Sequence, residues 1–289
     1  MNDLWTQTIN GIQQTWKASG KGPIVIMLHG FPQTFRCWDR VRVLLDDQFT
    51  VITPALRGYP PGECPGNLDA YRIEELVGDV VGLAKHLSPD LVHLVGHDWG
   101  GMIAWHAAAW HPDVFDRLVI IDAPHPDRFL SLALRHPYQF IKSWYIFAFQ
   151  IPGLAERILT SNPATILDKI FTSSAKRPGT FDAASLDPYR QLFEGPETIR
   201  PPLLYYRAAV RDLMTRRIPT LPRIQMATTV LWGRDDHALG TFLTDGLESV
   251  VDGEYECLFF DNCGHWAPEE APGEVAEAIR RRFTPVASG

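Results

Sequence analysis

Six short apolar runs, at 24–28, 51–53, 91–95, 118–121, 228–232 and 255–260, do not alternate with polar residues, and each is bounded by Gly, Pro, Asp or His. A strand with one wet face alternates, whereas a strand covered on both faces reads as a continuous apolar run. The runs therefore predict buried strands of a mostly parallel sheet. Between them, 74–87, 102–110 and 274–283 carry helical spacing, which supplies the crossovers that parallel neighbours require. The expected class is α/β. Ahead of the first run, 5–17 breaks at Asn10-Gly11, a pair suited to a type I′ hairpin turn because both central residues take positive φ.

One stretch interrupts this rhythm. From 126 to 221 there is no buried strand pattern, only proline-punctuated helical segments. Six aromatics, Tyr138, Phe140, Trp144, Tyr145, Phe147 and Phe149, fall within twelve residues there. Taken alone, such a stripe reads as core packing. A chain of 289 residues fits one large domain carrying an insertion, with boundaries expected at 1–125, 126–221 and 222–289. The 34 Asp and Glu outweigh 27 Lys and Arg, leaving −7 with ten histidines neutral, which argues against a nucleic-acid partner. Cys37, Cys64, Cys257 and Cys263 stand singly without CxxC spacing, as expected of reduced thiols in a cytoplasmic protein. Met1-Asn2-Asp3-Leu4-Trp5 lacks the basic start and apolar run of a signal peptide, and no aliphatic run is long enough for a membrane span.

Gly96-His97-Asp98-Trp99-Gly100-Gly101 is the most informative segment, because it joins a strand to a small-residue helix. Glycines on both sides let backbone pass closely while side chain 98 is held exposed on a sharp turn. The amino-terminal end of the helix favours an anion there, so Asp98 stays ionised and able to attack carbon. An ordinary Asp N-cap also suits the position. His29-Gly30-Phe31-Pro32 follows the first buried run, and the Phe31 N–H could join that of Trp99 in an oxyanion hole. Trp232-Gly233-Arg234-Asp235-Asp236-His237 offers a carboxylate, and Asn262-Cys263-Gly264-His265-Trp266 offers a general base. Nucleophile, acid, histidine is the chain order of the α/β-hydrolase fold.

These motifs, with Arg57-Gly58-Tyr59, resemble over nearly the whole chain the Asp-nucleophile epoxide hydrolases of the α/β-hydrolase superfamily. The resemblance implies a mostly parallel eight-stranded sheet with helices on both faces and a helical cap at 126–221. It also implies two phenolic proton donors. Tyr145 stands five residues before the Gln of Phe149-Gln150-Ile151-Pro152-Gly153, and Tyr206 immediately precedes Arg207. The implied reaction opens a small apolar epoxide by attack of Asp98 while Tyr145 and Tyr206 protonate the ring oxygen. His265-activated water then hydrolyses the ester at the Asp98 carbonyl carbon, with Phe31 and Trp99 holding the oxyanion. Trp144, Phe149 and Trp266 are expected to line the substrate pocket. No cofactor or metal is implied, and His86, His93, His106, His111 and His136 show no ligand spacing.

Alignment on Trp-Gly-x-x-Asp favours Asp236 as the acid that orients His265, with Asp122 as the alternative at the end of the preceding strand. The same Asp98 and His265 would serve a haloalkane or haloacid dehalogenase, with Trp99 and Trp144 as halide donors. Against this, Phe31 stands where haloalkane dehalogenases often have Asn, and Trp99 and Met102 where fluoroacetate dehalogenases have arginines. A non-catalytic binding module on the same scaffold ranks lower, since this chain keeps every part. Nothing in the sequence gives an oligomeric state.

Overall fold

Asn10 and Gly11 turn the chain with φ of 53° and 79°, and the hairpin they close begins an eight-stranded sheet. The computed structural model describes residues 4–217 and 220–284. Met1–Asp3, part of the segment that lacks a signal-peptide pattern, residues 218–219 within the expected insertion, and residues 285–289 lie outside the described residues. The strands are β1 (Leu4–Ile9), β2 (Ile12–Gly20), β3 (Ile24–Leu28), β4 (Thr50–Ala55), β5 (Val92–His97), β6 (Phe115–Ile121), β7 (Ala227–Gly233) and β8 (Tyr255–Phe260). Their order is β1-β2-β4-β3-β5-β6-β7-β8. Among the described residues only the β1–β2 and β2–β4 pairs are antiparallel.

All six apolar runs are strands, and β5 is buried along its whole length, as a strand covered on both faces must be. The bounds differ where local chemistry overrides the apolar pattern. β4 continues through Pro54, which β3 leaves unpaired because it bonds β4 only over Thr50, Val51 and Ile52; a missing N–H costs nothing there. The helices flanking the sheet are α1 (Asp39–Leu45), α2 (Ile73–Leu87) and α3 (Trp99–Trp110). Here α3 starts three residues before the expected 102, since Gly100 and Gly101, residues of low helix propensity, form its first turn.

Between β6 and β7 the described chain forms helices and no strand. They are α4 (Pro126–Arg135), α5 (Tyr138–Lys142), α6 (Trp144–Phe149), α7 (Leu154–Thr160), α8 (Pro163–Leu167), α9 (Ala183–Arg190) and α10 (Pro196–Met214). The excursion leaves and re-enters at neighbouring strands, because Ile121 pairs with Leu231. After β8 come α11 (Ala267–Glu270) and α12 (Pro272–Phe283). In the two layers, α2 lies against α3 and α1 against α12.

The expectation that the aromatic stripe packs a core fails for most of it. Phe149 is buried, but Tyr138, Phe140, Trp144 and Phe147 are exposed. The helices that carry them are only five and six residues long, so they have too few turns to bury a full aromatic face.

Arg57-Gly58-Tyr59 joins the sheet to this excursion. The Arg57 guanidinium donates two hydrogen bonds to Asp79 in α2, at 2.7 and 2.6 Å, and its carbonyl accepts the Tyr205 hydroxyl of α10 at 2.6 Å. Among the described residues no helix is long and apolar enough to cross a membrane.

Candidate active site

Asp98 sits between β5 and α3 with φ 50° and ψ −119°, a conformation that costs an L-residue about 1–3 kcal/mol and persists only where its surroundings impose it. The surroundings here are close backbone contacts. A Cβ on Gly96 would strike the Gly100 carbonyl, and one on Gly100 would strike the carbonyls of Leu28 and His29. The strand, the turn and the helix therefore lie as near as three backbones can. Asp98 bears no capping hydrogen bond to its own helix, so the ordinary N-cap role is not the one it plays.

Its carboxylate oxygens are held in different surroundings. Oδ1 accepts the Phe31 N–H at 2.7 Å, and Oδ2 faces His265 Nε2 at 3.5 Å. Among the described residues the Trp99 N–H makes no hydrogen bond to this carboxylate, and the Trp99 ring packs edge-on against Tyr205 and Tyr206. Gly30 is required beside it, because a Cβ there would collide with Asp98 Oδ1.

On the far side of the imidazole, His265 Nδ1–H donates to Asp236 Oδ2 at 2.7 Å. Asp236 Oδ1 accepts the N–H groups of Ala238 and Leu239 at 2.6 and 2.9 Å. Burial alone would lower the His265 pKa, but the charge and hydrogen bond of Asp236, with those of Asp98, outweigh it and hold the imidazole well above its usual value. For Asp236 burial acts upward; the imidazolium and the Leu239 N–H win and hold it below the usual carboxylate range. Asp122 is placed differently. Its Oδ1 accepts the Gly233 N–H at 2.8 Å, while Oδ2 has no hydrogen-bond partner among the described residues. Burial first, and then the charge of Asp236, push its pKa well above the usual range.

Over Asp98 lies a cavity of about 560 Å³ whose walls come from both the sheet and the excursion. Asp98, His265, Tyr145 and Tyr206 all face it, as do Phe31, Phe149, Trp144 and Trp266. Tyr145 and Tyr206 have ring centroids 6.0 Å apart. Burial, reinforced by the Asp98 charge, raises both phenol pKa values, so both remain protonated at neutral pH. Trp99 does not line the cavity, and Trp144 lies at its exposed rim.

The two tyrosines are braced from behind. Gln150 donates to the Ile146 and Tyr206 carbonyls, at 2.9 and 3.4 Å. Arg207 donates to the Phe149 carbonyl at 2.8 Å and pairs with both oxygens of Glu156 at 2.7 and 3.0 Å. The residues that follow each tyrosine motif thus tie α6 to α10.

Glu270 has no counterpart in the sequence reading. Its Oε1 accepts the N–H groups of Gly264 and Trp266, on either side of His265, at 3.1 and 3.2 Å. Its Oε2 accepts those of Lys176 and Arg177 at 2.6 and 3.2 Å. The only sequence signal is the pair Glu269-Glu270 shortly after the histidine motif. His97 adds a second support, since its Nε2–H donates to the His265 carbonyl at 2.8 Å.

Comparisons with known proteins address the family and the fold. The family model of the alpha/beta hydrolase fold matches residues 23–272. The AB hydrolase superfamily protein YfhM of Bacillus subtilis (strain 168) is 32% identical over 273 residues, which cover 93% of this chain and 94% of that protein. Human epoxide hydrolase 4 is 28% identical, over 93% of this chain and 75% of its own length. A solved structure described among novel epoxide hydrolases of the alpha/beta hydrolases superfamily, from metagenomes of hot environments, is 31% identical. It superposes with a TM-score of 0.85 over 99% of this chain and 100% of that one. The chain belongs to the α/β-hydrolase family.

Proposed function

We propose that this chain is an epoxide hydrolase that converts a small apolar epoxide and water into a vicinal diol. The observation that carries the reading is the pairing of an acid nucleophile with two phenols, Tyr206 buried and Tyr145 half-buried, in one cavity. Asp98 has one oxygen held by the Phe31 N–H and the other turned toward His265, beneath Tyr145 and Tyr206 in one apolar-walled cavity.

In the first step Asp98 Oδ2 attacks an epoxide carbon. The ring C–O bond breaks, and the alkoxide takes a proton from Tyr145 or Tyr206. Alkylation removes the charge of Asp98, one of the influences that hold His265 protonated. The imidazolium then passes its proton through solvent to the tyrosinate left by the first step, which restores the phenol, and the neutral imidazole can act as a general base. In the second step it deprotonates a water, which adds to the Asp98 carbonyl carbon. The oxyanion develops on Oδ1, already on the Phe31 N–H, a donor of a kind worth roughly 3–4 kcal/mol in comparable sites. The tetrahedral species collapses, and the diol departs with Oδ2 after protonation by His265. Asp236 is assigned the orientation of His265, with Trp99 as second oxyanion donor once the ester has formed. Trp144, Phe149 and Trp266 shape the pocket.

On the same reading, 126–221 is a cap over a core made of 1–125 and 222–289, and the four unpaired cysteines support a cytoplasmic location. The deciding experiment incubates wild type and His265→Gln with a panel of epoxides and haloalkanes, following diol and halide in parallel. The expected result is diol formation by wild type and a hydroxyalkyl adduct on Asp98 in the variant. Halide release with no diol from any epoxide overturns the assignment in favour of a dehalogenase. No turnover and no adduct favour a binding module.

A further inference from the structure

Among the described residues, ten of the seventeen large hydrophobic side chains that stand exposed fall in residues 130–158. Trp144 and Ile141 are each 65% exposed, Tyr138 63% and Phe147 61%. A soluble surface rarely carries a contiguous apolar patch of this kind without a partner. The patch is also the rim of the catalytic cavity. Tyr138, Ile141, Trp144, Leu154 and Ile158 are exposed and line the cavity at the same time.

Charge separates this face from the rest of the molecule. The stretch 126–160, which holds α4–α7, carries four Lys and Arg against two Asp and Glu, and 161–177 after it three against one, in a chain whose net charge is −7. Glu156 is already neutralised by Arg207, and Arg177 by Glu274. Arg135, Arg157, Lys169 and Lys176 are exposed, and none is in a salt bridge among the described residues. Exposed aromatic and aliphatic side chains with basic residues beside them, and few acids, form the pattern that settles into the headgroup boundary of an anionic bilayer.

We propose that the α4–α7 face docks on the surface of an anionic phospholipid bilayer, without spanning it, and opens the cavity toward the lipid. Two observations favour lipid over a second copy of this chain. A two-fold contact of this face with itself would bring its positive charge against the same charge. It would also seal the mouth of the cavity, whereas a bilayer presents that mouth with a medium in which apolar molecules dissolve. The second point rests on the epoxide reading; the charge and the exposed apolar face do not.

The test is co-sedimentation of the full chain with vesicles of phosphatidylcholine and phosphatidylglycerol, and with vesicles of phosphatidylcholine alone, with light scattering of the free protein. Two double variants lie outside the cavity wall: Phe147→Asp with Ile151→Asp, and Arg135→Glu with Arg157→Glu. The expected result is salt-sensitive binding to the anionic vesicles, weakened about tenfold or more in each double variant. Turnover of a water-soluble epoxide by both variants stays at the wild-type level, which shows that they fold. Wild type that stays in solution with both kinds of vesicle overturns the proposal. So does a dimer that Phe147→Asp with Ile151→Asp converts to a monomer, or vesicle binding that neither variant weakens. Because binding is read without catalysis, a protein that docks but opens no epoxide refutes the functional reading alone.

Discussion

At the scale of single residues, the two acids near His265 differ in what their oxygens touch. Asp236 turns one oxygen to the imidazole and the other to two backbone N–H groups. Replacing it with Asn leaves an amide that cannot stabilise an imidazolium, and we expect ester hydrolysis to fall about 10³–10⁴-fold, as when the acid of a Ser-His-Asp triad is lost. Asp122 is held toward its neutral form by burial and by the charge of Asp236, so Asn replaces one uncharged group with another and keeps the acceptor for Gly233. Turnover of Asp122→Asn should stay within about threefold of wild type. Single-turnover kinetics of both variants check this pair; near-wild-type hydrolysis in Asp236→Asn would reverse the assignment. Glu270 belongs to the same scale. In Glu270→Gln an NH₂ group faces backbone donors, so the loop holding His265 loosens. The hydrolysis rate should drop about tenfold or more with little change in alkylation rate, since leaving buried donors unmatched costs about 1–3 kcal/mol. Equal slowing of both steps would mean that Glu270 does not act through His265. Asp98, His265 and Asp236 were legible because each follows a buried run and sits among glycines or acids that mark a strand end. Glu270 was not legible, because its partners are four main-chain N–H groups and main chain leaves no residue-type signal.

At the scale of elements, the β5–α3 turn depends on the absence of side chains. Gly100→Ala drives a methyl group into the backbone carbonyls of Leu28 and His29, which cannot move aside as a flexible side chain would. A loss of more than about 2 kcal/mol in denaturant unfolding is expected, in the range of strained or overpacked sites. A variant as stable as wild type would show that the turn is looser than the contacts require. The strands of the sheet were readable because double-sided burial removes alternation. The faces of α5 and α6 were not, since five or six residues span less than two turns and an aromatic run of that length has no measurable period.

At the scale of the whole molecule, several interior groups titrate far from their usual values. Burial lowers His29, His93, His97 and His125 to about 4. Between pH 4 and 6.5 the unfolded chain therefore binds more protons than the folded one, and stability rises with pH. At about 1.4 kcal/mol per pH unit, each of these histidines contributes about 3 kcal/mol across the window. Burial raises Glu269 from 4.5 to about 8 despite hydrogen bonds from Tyr189 and Gln33, so between those values the folded chain holds the extra proton; this opposes the histidines up to pH 6.5 and makes stability fall from there toward pH 8. His265, raised well above its usual value, contributes stability in full below 6.5 and loses it as pH climbs through its folded pKa. Calorimetry across this range should show a maximum near pH 6.5 and a shallower alkaline fall in Glu269→Gln. A melting temperature flat from pH 4 to 6.5 would contradict the neutral interior histidines.

The excursion that carries the cavity's aromatic wall also has a consequence for how the chain reaches its native state. It departs after Ile121 and returns at Ala227, next to the strand it left. Joining β6 to β7 thus closes a loop of about one hundred residues, and closure entropy grows only with the logarithm of length, about 0.6 kcal/mol for each doubling. The sheet is therefore nearly indifferent to how long the detour is. Helices can be added to it or taken from it at little cost to the strands. On the proposed function, the wall that would select the substrate can diverge between descendants of one ancestor while the floor that carries Asp98 and His265 stays the same.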